Sequence, residues 1–274
     1  MPLNEKSRKQ IEKILMKKLQ SKITEYKEAD DMEKPFYFSL FSEENVYLAS
    51  MLQSIYTWFG SQWEIIGKII AENNLEKFST AETHYMLEGK ITKEEESAIG
   101  KILRELDRKK SRRTNIIDEK EEISQSYDRH DLTEIYNEEI DLFTKTNDGR
   151  EIYFELKSVK PNKNEIRAAK NDLLHVLAMR QKEKDIDKVD IFLALPYNQY
   201  VGKYDRWTVL KFFSFNNDLL VGKDFWDFLG GENTYEDLLK LFSDVGDEIK
   251  DSLEEAIQYS HQRKKYNDTT MEDF

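Results

Sequence analysis

The chain has 274 residues, of which 39% are hydrophobic, 12% aromatic and 35% charged, with a formal net charge of −12 at pH 7. This composition excludes a disordered chain and leaves room for one large domain or two small ones. No apolar run approaches the roughly 18 to 20 residues that cross a bilayer, and the opening Met1–Lys9 lacks the apolar core of a signal peptide; with no cysteine for disulfides or thiolate metal sites, the expected location is the cytoplasm.

Ile11, Ile14, Leu15, Leu19 and Ile23 recur at helical spacing and predict a helix over 5–28. Pro35 and the cluster Phe36–Tyr37–Phe38 mark an irregular segment. A second helical region is expected from Glu43 to about Asn73, broken near Gly60. Residues 79–113 also read as helical, with Gly89 and Gly100 as interruptions. The acidic stretch 114–139 has thin apolar support from Ile116, Ile117 and Ile123.

The second half alternates. A strand pair is expected over 139–158, then a helix over 164–182 with Leu173, Leu174, Val176 and Leu177 inward. Val189–Leu195 reads as a buried strand ended by Pro196. Trp207–Phe215 reads as another strand, and Phe225–Leu229 as a short helix stopped by Gly230–Gly231. Thr234 resembles an N-cap, and Val245, Ile249, Leu253 and Ile257 stripe a last helix. The expected organisation is a mainly helical N-terminal region over 1–113, an α/β core over 114–262, and a flexible polar tail over 263–274.

One hairpin concentrates the chemistry. Ile152, Phe154 and Leu156 alternate with Glu151, Tyr153, Glu155 and Lys157, the period of a half-buried strand. The turn at Asn147–Asp148–Gly149 brings Asp141 opposite, or one residue off, Glu155. Two carboxylates and an ammonium on one face suit a hard divalent cation and an activated water. The same face is equally that of a solvated hairpin with cross-strand ion pairs. The acid-x-lysine tripeptide alone decides nothing, since it recurs at Glu25–Lys27, Glu88–Lys90, Asp107–Lys109, Asp118–Lys120 and Glu248–Lys250.

The net negative charge does not exclude nucleic acid, because the local field is what a phosphate meets. Lys157, Lys160, Lys163, Arg167 and Lys170 face one acid, Glu165, within 157–170. A second basic stretch holds Lys101, Arg104, Arg108, Lys109, Lys110, Arg112 and Arg113. Lys163, Arg167 and Lys170 form one helical stripe, which is either a phosphate-binding or a solvated face. The histidines at 84, 130, 175 and 261 show no metal-ligand spacing. Asp128–Asp131 reads as a surface turn, and Trp226 with Gly230–Gly231 as core.

Taken together, residues 139–182 resemble the core of the PD-(D/E)xK nuclease superfamily: Asp141 on one strand, Glu155-x-Lys157 on the next, then a helix. Glu155–Lys163 is similar to the motif of the TdeIII-type restriction endonucleases, as are Pro196–Asn198, Tyr204–Thr208, Phe225–Gly231, Thr234–Tyr235, Leu238–Leu239 and Val245–Gly246. Pro35–Phe36 and Ser54–Gly60 match more loosely. Ile140 replaces the motif's proline, and Glu155 stands where relatives often have Asp. The resemblance implies a mixed central sheet flanked by helices and a type II restriction endonuclease that cleaves double-stranded DNA at a short palindrome such as GGNCC. It implies Mg²⁺, with Mn²⁺ as substitute, held by Asp141, Glu155 and the Leu156 carbonyl, with Lys157 positioning the water. A homodimer and a methyltransferase protecting the same site are the implied partners. Glu119 is a candidate further acid. Lys160, Asn162, Lys163, Arg167, Lys170, Asn198 and Arg206 are candidate DNA contacts; for Asn198 and Arg206 the alternative is a turn residue and a loop anchor. The competing functions are a non-specific or structure-specific repair nuclease and a non-catalytic DNA-binding module.

Overall fold

The computed structural model describes residues 3–28, 34–108, 113–127, 132–181, 186–215 and 217–271. Lys109, Lys110, Arg112 and the Asp128–Asp131 segment lie outside the described residues. The chain divides into two compact units, one spanning 63–235 and the other 4–62 with 236–274. The first unit crosses residue 113, where the sequence placed a boundary.

The first unit is built on a five-stranded mixed sheet in the order β1 (Phe78–Thr92), β2 (Leu132–Thr146), β3 (Glu151–Leu156), β4 (Val189–Leu195), β5 (Leu219–Val221). The first three strands are antiparallel and the last two join in parallel. Helices flank the sheet, which is the α/β architecture expected for the superfamily core. They are the 63–73 part of α3 (Glu43–Asn73), α4 (Lys93–Asp107), α5 (Ile116–Ser126), α6 (Lys163–Arg180), α7 (Trp207–Leu210) and α8 (Lys223–Gly230). Leu173, Leu174, Val176 and Leu177 of α6 are fully buried with Ile191, Leu193 and Leu195 of β4.

The second unit joins α1 (Glu5–Glu28), α2 (Pro35–Phe38), the 43–62 part of α3 and α9 (Thr234–Met271). Ile23, Tyr26, Met51 and Ala256 form its small core, and Phe59 packs on Phe242 with centroids 5.6 Å apart. The α9 helix continues to Met271, across the stretch from 263 expected to be a flexible tail. α3 passes Gly60 without a break.

Three local readings are corrected. Residues 78–92 are a strand, not a helix. Ala81, Leu87 and Ile91 are buried, with Thr83, Tyr85 and Gly89 partly so, while Glu82, His84, Met86, Glu88 and Lys90 face out, a period of two that the charged residues obscured. Gly89 gives Met179 a seat, since a Cβ there would lie 2.7–2.8 Å from its side chain. α4 then starts at a capping box between Thr92 and Glu95. Residues 207–215 are not a strand either. Val209, Phe212 and Phe213 are fully buried at helical offsets, so α7 and a turn carry them inward.

The third correction concerns β3. All six of its residues are buried, because it is the central strand of the sheet and is covered on both faces. The solvated-hairpin alternative is thereby removed.

A buried ion triad ties α5, α6 and the start of β5 together. Lys170 Nζ lies 2.6 Å from Glu119 Oε2 and 2.7 Å from Asp218 Oδ2, and all three side chains are fully buried. Glu119 also accepts from Thr114 Oγ1 and the Asn115 amide, and Asp218 from the Ser214 amide. Removing the central ammonium leaves two buried acids facing each other. Lys170→Ala is therefore expected to cost about 3–5 kcal/mol of stability. Denaturant unfolding checks this, and an unchanged midpoint would refute the structural role.

Candidate active site

The hairpin turn forms as the Asn-Asp-Gly sequence requires. Gly149 takes φ 86° and donates to the Thr146 carbonyl, and the Thr146 amide donates to the Arg150 carbonyl at 2.9 Å. Leu142 then pairs with Phe154, so Asp141 and Glu155 stand across from one another at the next step. The Leu156 amide donates to Asp141 Oδ2 at 2.6 Å, which aims that carboxylate along β3. Lys157 Nζ binds Glu155 Oε1 and lies 3.9 Å from Asp141 Oδ2. The three residues singled out in the sequence are one cluster.

A third carboxylate joins them from α3. Glu64 is 91% buried and close enough to Asp141 for their charges to interact. Its Oε2 accepts no hydrogen bond, and His84 Nε2 lies 3.5 Å away. Sequence reasoning did not single it out, because 77 residues separate it from Asp141 and it carries no motif. The one available signal was an acid in the apolar run Trp63–Ile70.

Burial dominates the electrostatics, followed for the two glutamates by repulsion from Asp141. Burial first, then the charge of Asp141, pushes Glu155 up to about 7. Glu64 is pushed up to about 7 for the same two reasons. Burial likewise raises Asp141, against the pull of Lys157. For Lys157 burial works downward, but Glu155 and Asp141 outweigh it and its pKa is raised, so it stays an ammonium at neutral pH.

The donor set is of the hard-oxygen kind that a divalent cation takes. Two buried carboxylates, Glu64 and Glu155, and the half-buried Asp141 face one ammonium, and one Glu64 oxygen accepts no hydrogen bond. Glu64, Asp141 and Glu155 are the side chains that would hold the cation.

The other sequence candidates are distributed differently. Glu119 and Lys170 are locked in the buried triad, so neither reaches the site or a phosphate. Lys163 and Arg167 remain about half exposed but share Asp107, at 2.6 and 2.9 Å. Asn162 caps α6, accepting from the Asn164 and Glu165 amides. Lys160 is exposed. Asn198 closes its own loop, donating to the Gly202 carbonyl and accepting from the Tyr200 amide. Arg206 anchors the Pro161 carbonyl at 3.1 Å, the structural alternative weighed for it. Trp226 is core, its indole donating to the Pro196 carbonyl.

Two histidines that looked scattered lie among acids. His175 Nε2 is 2.8 Å from Glu96 and Nδ1 3.3 Å from Glu138, while its ring stacks on Tyr136. Burial opposes the charged ring, but Glu138 and Glu96 prevail and raise its pKa. Its ligand atoms lie within 4.8 Å of those of Glu138 and Asp172. Nδ1 also lies 3.2 Å from the Asn171 side-chain amide nitrogen, so the ring is held by an amide as well as by acids. Asp172 extends this acidic track to Lys157 and Glu155, whose titration it perturbs.

Residues 3–246 match the HinfI type II restriction endonuclease family. The chain belongs to that family. It is a site-specific deoxyribonuclease, a hydrolase of phosphodiester bonds in restriction, and the family implies DNA binding and a divalent metal. The TdeIII type is a finer division than this match reaches. The chain is 28% identical over 216 residues to the type II restriction enzymes HgiEI and HgiCII of Herpetosiphon aurantiacus, covering 78% of this chain and 77% of each relative. It is 24% identical to the type II restriction enzyme MjaII of Methanocaldococcus jannaschii over 69% of this chain and 54% of that one. Among the described residues no helix is long and apolar enough to cross a membrane.

The raised carboxyls set a pH dependence for the cation-free protein. A carboxyl lifted from 4.5 to about 7 binds its proton more tightly folded than unfolded. Its contribution is full below pH 4.5 and is lost as the pH rises through 7. In chelator, the urea midpoint is expected to fall between pH 4.5 and 7, and Glu155→Gln to fall less steeply. A midpoint that rises over this range contradicts the site's electrostatics.

Proposed function

We propose that the protein hydrolyses double-stranded DNA in a Mg²⁺-dependent reaction at a short palindromic site of the GGNCC kind, acting as a cytoplasmic homodimer whose own sites a cognate methyltransferase protects. Mn²⁺ would substitute for Mg²⁺. The observation that carries this reading is the convergence of Asp141, Glu155, Lys157 and the orphaned Glu64 oxygen in a family of DNA-cleaving enzymes. The GGNCC specificity rests on the likeness of Glu155–Lys163 and the C-terminal blocks to the TdeIII-type enzymes.

Phosphodiesters repel hydroxide, so hydrolysis needs charge neutralised and water aimed in line with the leaving 3′-oxygen. Asp141, Glu155, the Leu156 carbonyl and Glu64 would hold the cation, which when bound screens the phosphate and activates water. Lys157 remains protonated, so it donates a hydrogen bond to water or phosphate and does not abstract a proton. The bond from the Leu156 amide keeps Asp141 from swinging away from Glu155. Lys160 stands exposed just after the site in sequence, with Lys163 and the half-exposed Arg167 beyond it on Asp107, the kind of groups that contact phosphates.

A palindrome read by two copies predicts two-fold symmetry. Light scattering should return a dimer with and without DNA; a monomer in both states overturns that part. Digestion of a sequenced, unmethylated plasmid should yield discrete fragments with Mg²⁺ and none with chelator. Loss of the metal's several kcal/mol of charge stabilisation predicts that Glu155→Ala cuts at least about 10³-fold more slowly, at roughly 1.4 kcal/mol per tenfold. Smeared products would favour the repair-nuclease reading, and full activity of Glu155→Ala would refute the site.

A further inference from the structure

His84 has a backbone that needs explaining. It lies inside β1 with φ 52°, a left-handed conformation uncommon for any side chain other than Asn, Asp or His and costly in a strand. Its ladder neighbours Thr83 and Tyr85 pair with Leu142 and Ile140, so His84 stands across from Asp141. The sheet changes face here. Tyr85 stacks on Phe143 at 4.3 Å although its ladder partner is Ile140, and Leu142 instead abuts Gly67 of α3. An unbroken strand would put Tyr85 and Phe143 on opposite faces.

The side chain does something specific with that conformation. Nδ1 is 2.7 Å from Glu139 Oε1, and Nε2 is 3.5 Å from the orphaned Glu64 Oε2. The ring is mostly exposed, so packing does not account for it. Glu64, meanwhile, is repelled by Asp141 and, among the described residues, makes no ion pair other than that with His84. A carboxylate so placed would turn away from Asp141 unless something opposite held it.

We propose that His84 is a positioning residue: its ring, fixed on Glu139 and set by the left-handed backbone of β1, holds Glu64 in register with Asp141 and Glu155 for the cation. This rests on the cation-binding reading of those three carboxylates. His84 would not touch DNA's reacting atoms or the cation. It acts as the outer partner that orients a ligand, a role whose loss typically weakens metal binding or activity about 10–100-fold.

The test uses His84→Gly, which accepts the left-handed φ and deletes only the ring, and His84→Asn, which accepts it and keeps one donor. Free Mn²⁺ is followed by electron paramagnetic resonance as protein is titrated, and urea midpoints are taken in chelator. The expected result for His84→Gly is an unchanged urea midpoint, Mn²⁺ affinity about tenfold weaker, a lower kcat with KM for DNA within about twofold, and partial rescue by added imidazole. His84→Asn should fall between it and the parent. Wild-type Mn²⁺ affinity and kcat in His84→Gly overturn the role of His84 while leaving the active-site reading intact. An affinity lost only in step with unfolding, in both variants, overturns it as well. A parent protein that neither binds Mn²⁺ nor cuts DNA overturns both.

Discussion

Glu155 is buried and Asp141 half-buried beside it, and one ammonium, Lys157, pairs with Glu155 and lies 3.9 Å from Asp141. Like charges out of water repel strongly, and Asp141 raises the demand of buried Glu155 for a proton or a cation. The surrounding architecture answers that demand. The tight turn at Gly149 sets the register, the Leu156 amide fixes Asp141, and β4 covers the far side of β3. Glu64 adds a third charge to a place that already has too many. Such a set is neutralised in the folded protein either by protons, as the raised carboxyls show, or by a bound positive charge.

The buried triad of Glu119, Lys170 and Asp218 solves the same problem differently. There the cation is built in, both acids are hydrogen-bonded elsewhere, and all three side chains are closed to solvent. The comparison separates structure from function within one fold. In the triad each acid lies within 2.7 Å of the lysine ammonium, whereas the nearest cationic group to the Glu64 oxygen is His84 Nε2 at 3.5 Å.

The basic stripe read from the sequence also divides. Lys163, Arg167 and Lys170 share a helix spacing, yet Lys170 turns into the core and the other two meet Asp107. Spacing says which residues share a helix face but not which face the fold buries. The same applies to the histidines. His84 and His175 have no metal-ligand spacing in the chain, and both end up bridging carboxylates from distant segments.

Local chemistry alone determined much of this protein. The Asn-Asp-Gly turn and the alternation around Glu155 were enough to place the hairpin and its Asp–Glu–Lys cluster, and helical spacing placed α1, α6 and the last helix. These are signals carried by neighbours within a few residues. Only the tertiary structure decided that β3 is central and buried on both faces, that residues 78–92 are an edge strand of its sheet, that Glu119 serves the core, and that His84 lies across from Asp141 and within 3.5 Å of Glu64. Each of those depends on contacts between segments far apart in sequence, and the energy of such a contact comes from burial and charge that no local pattern contains.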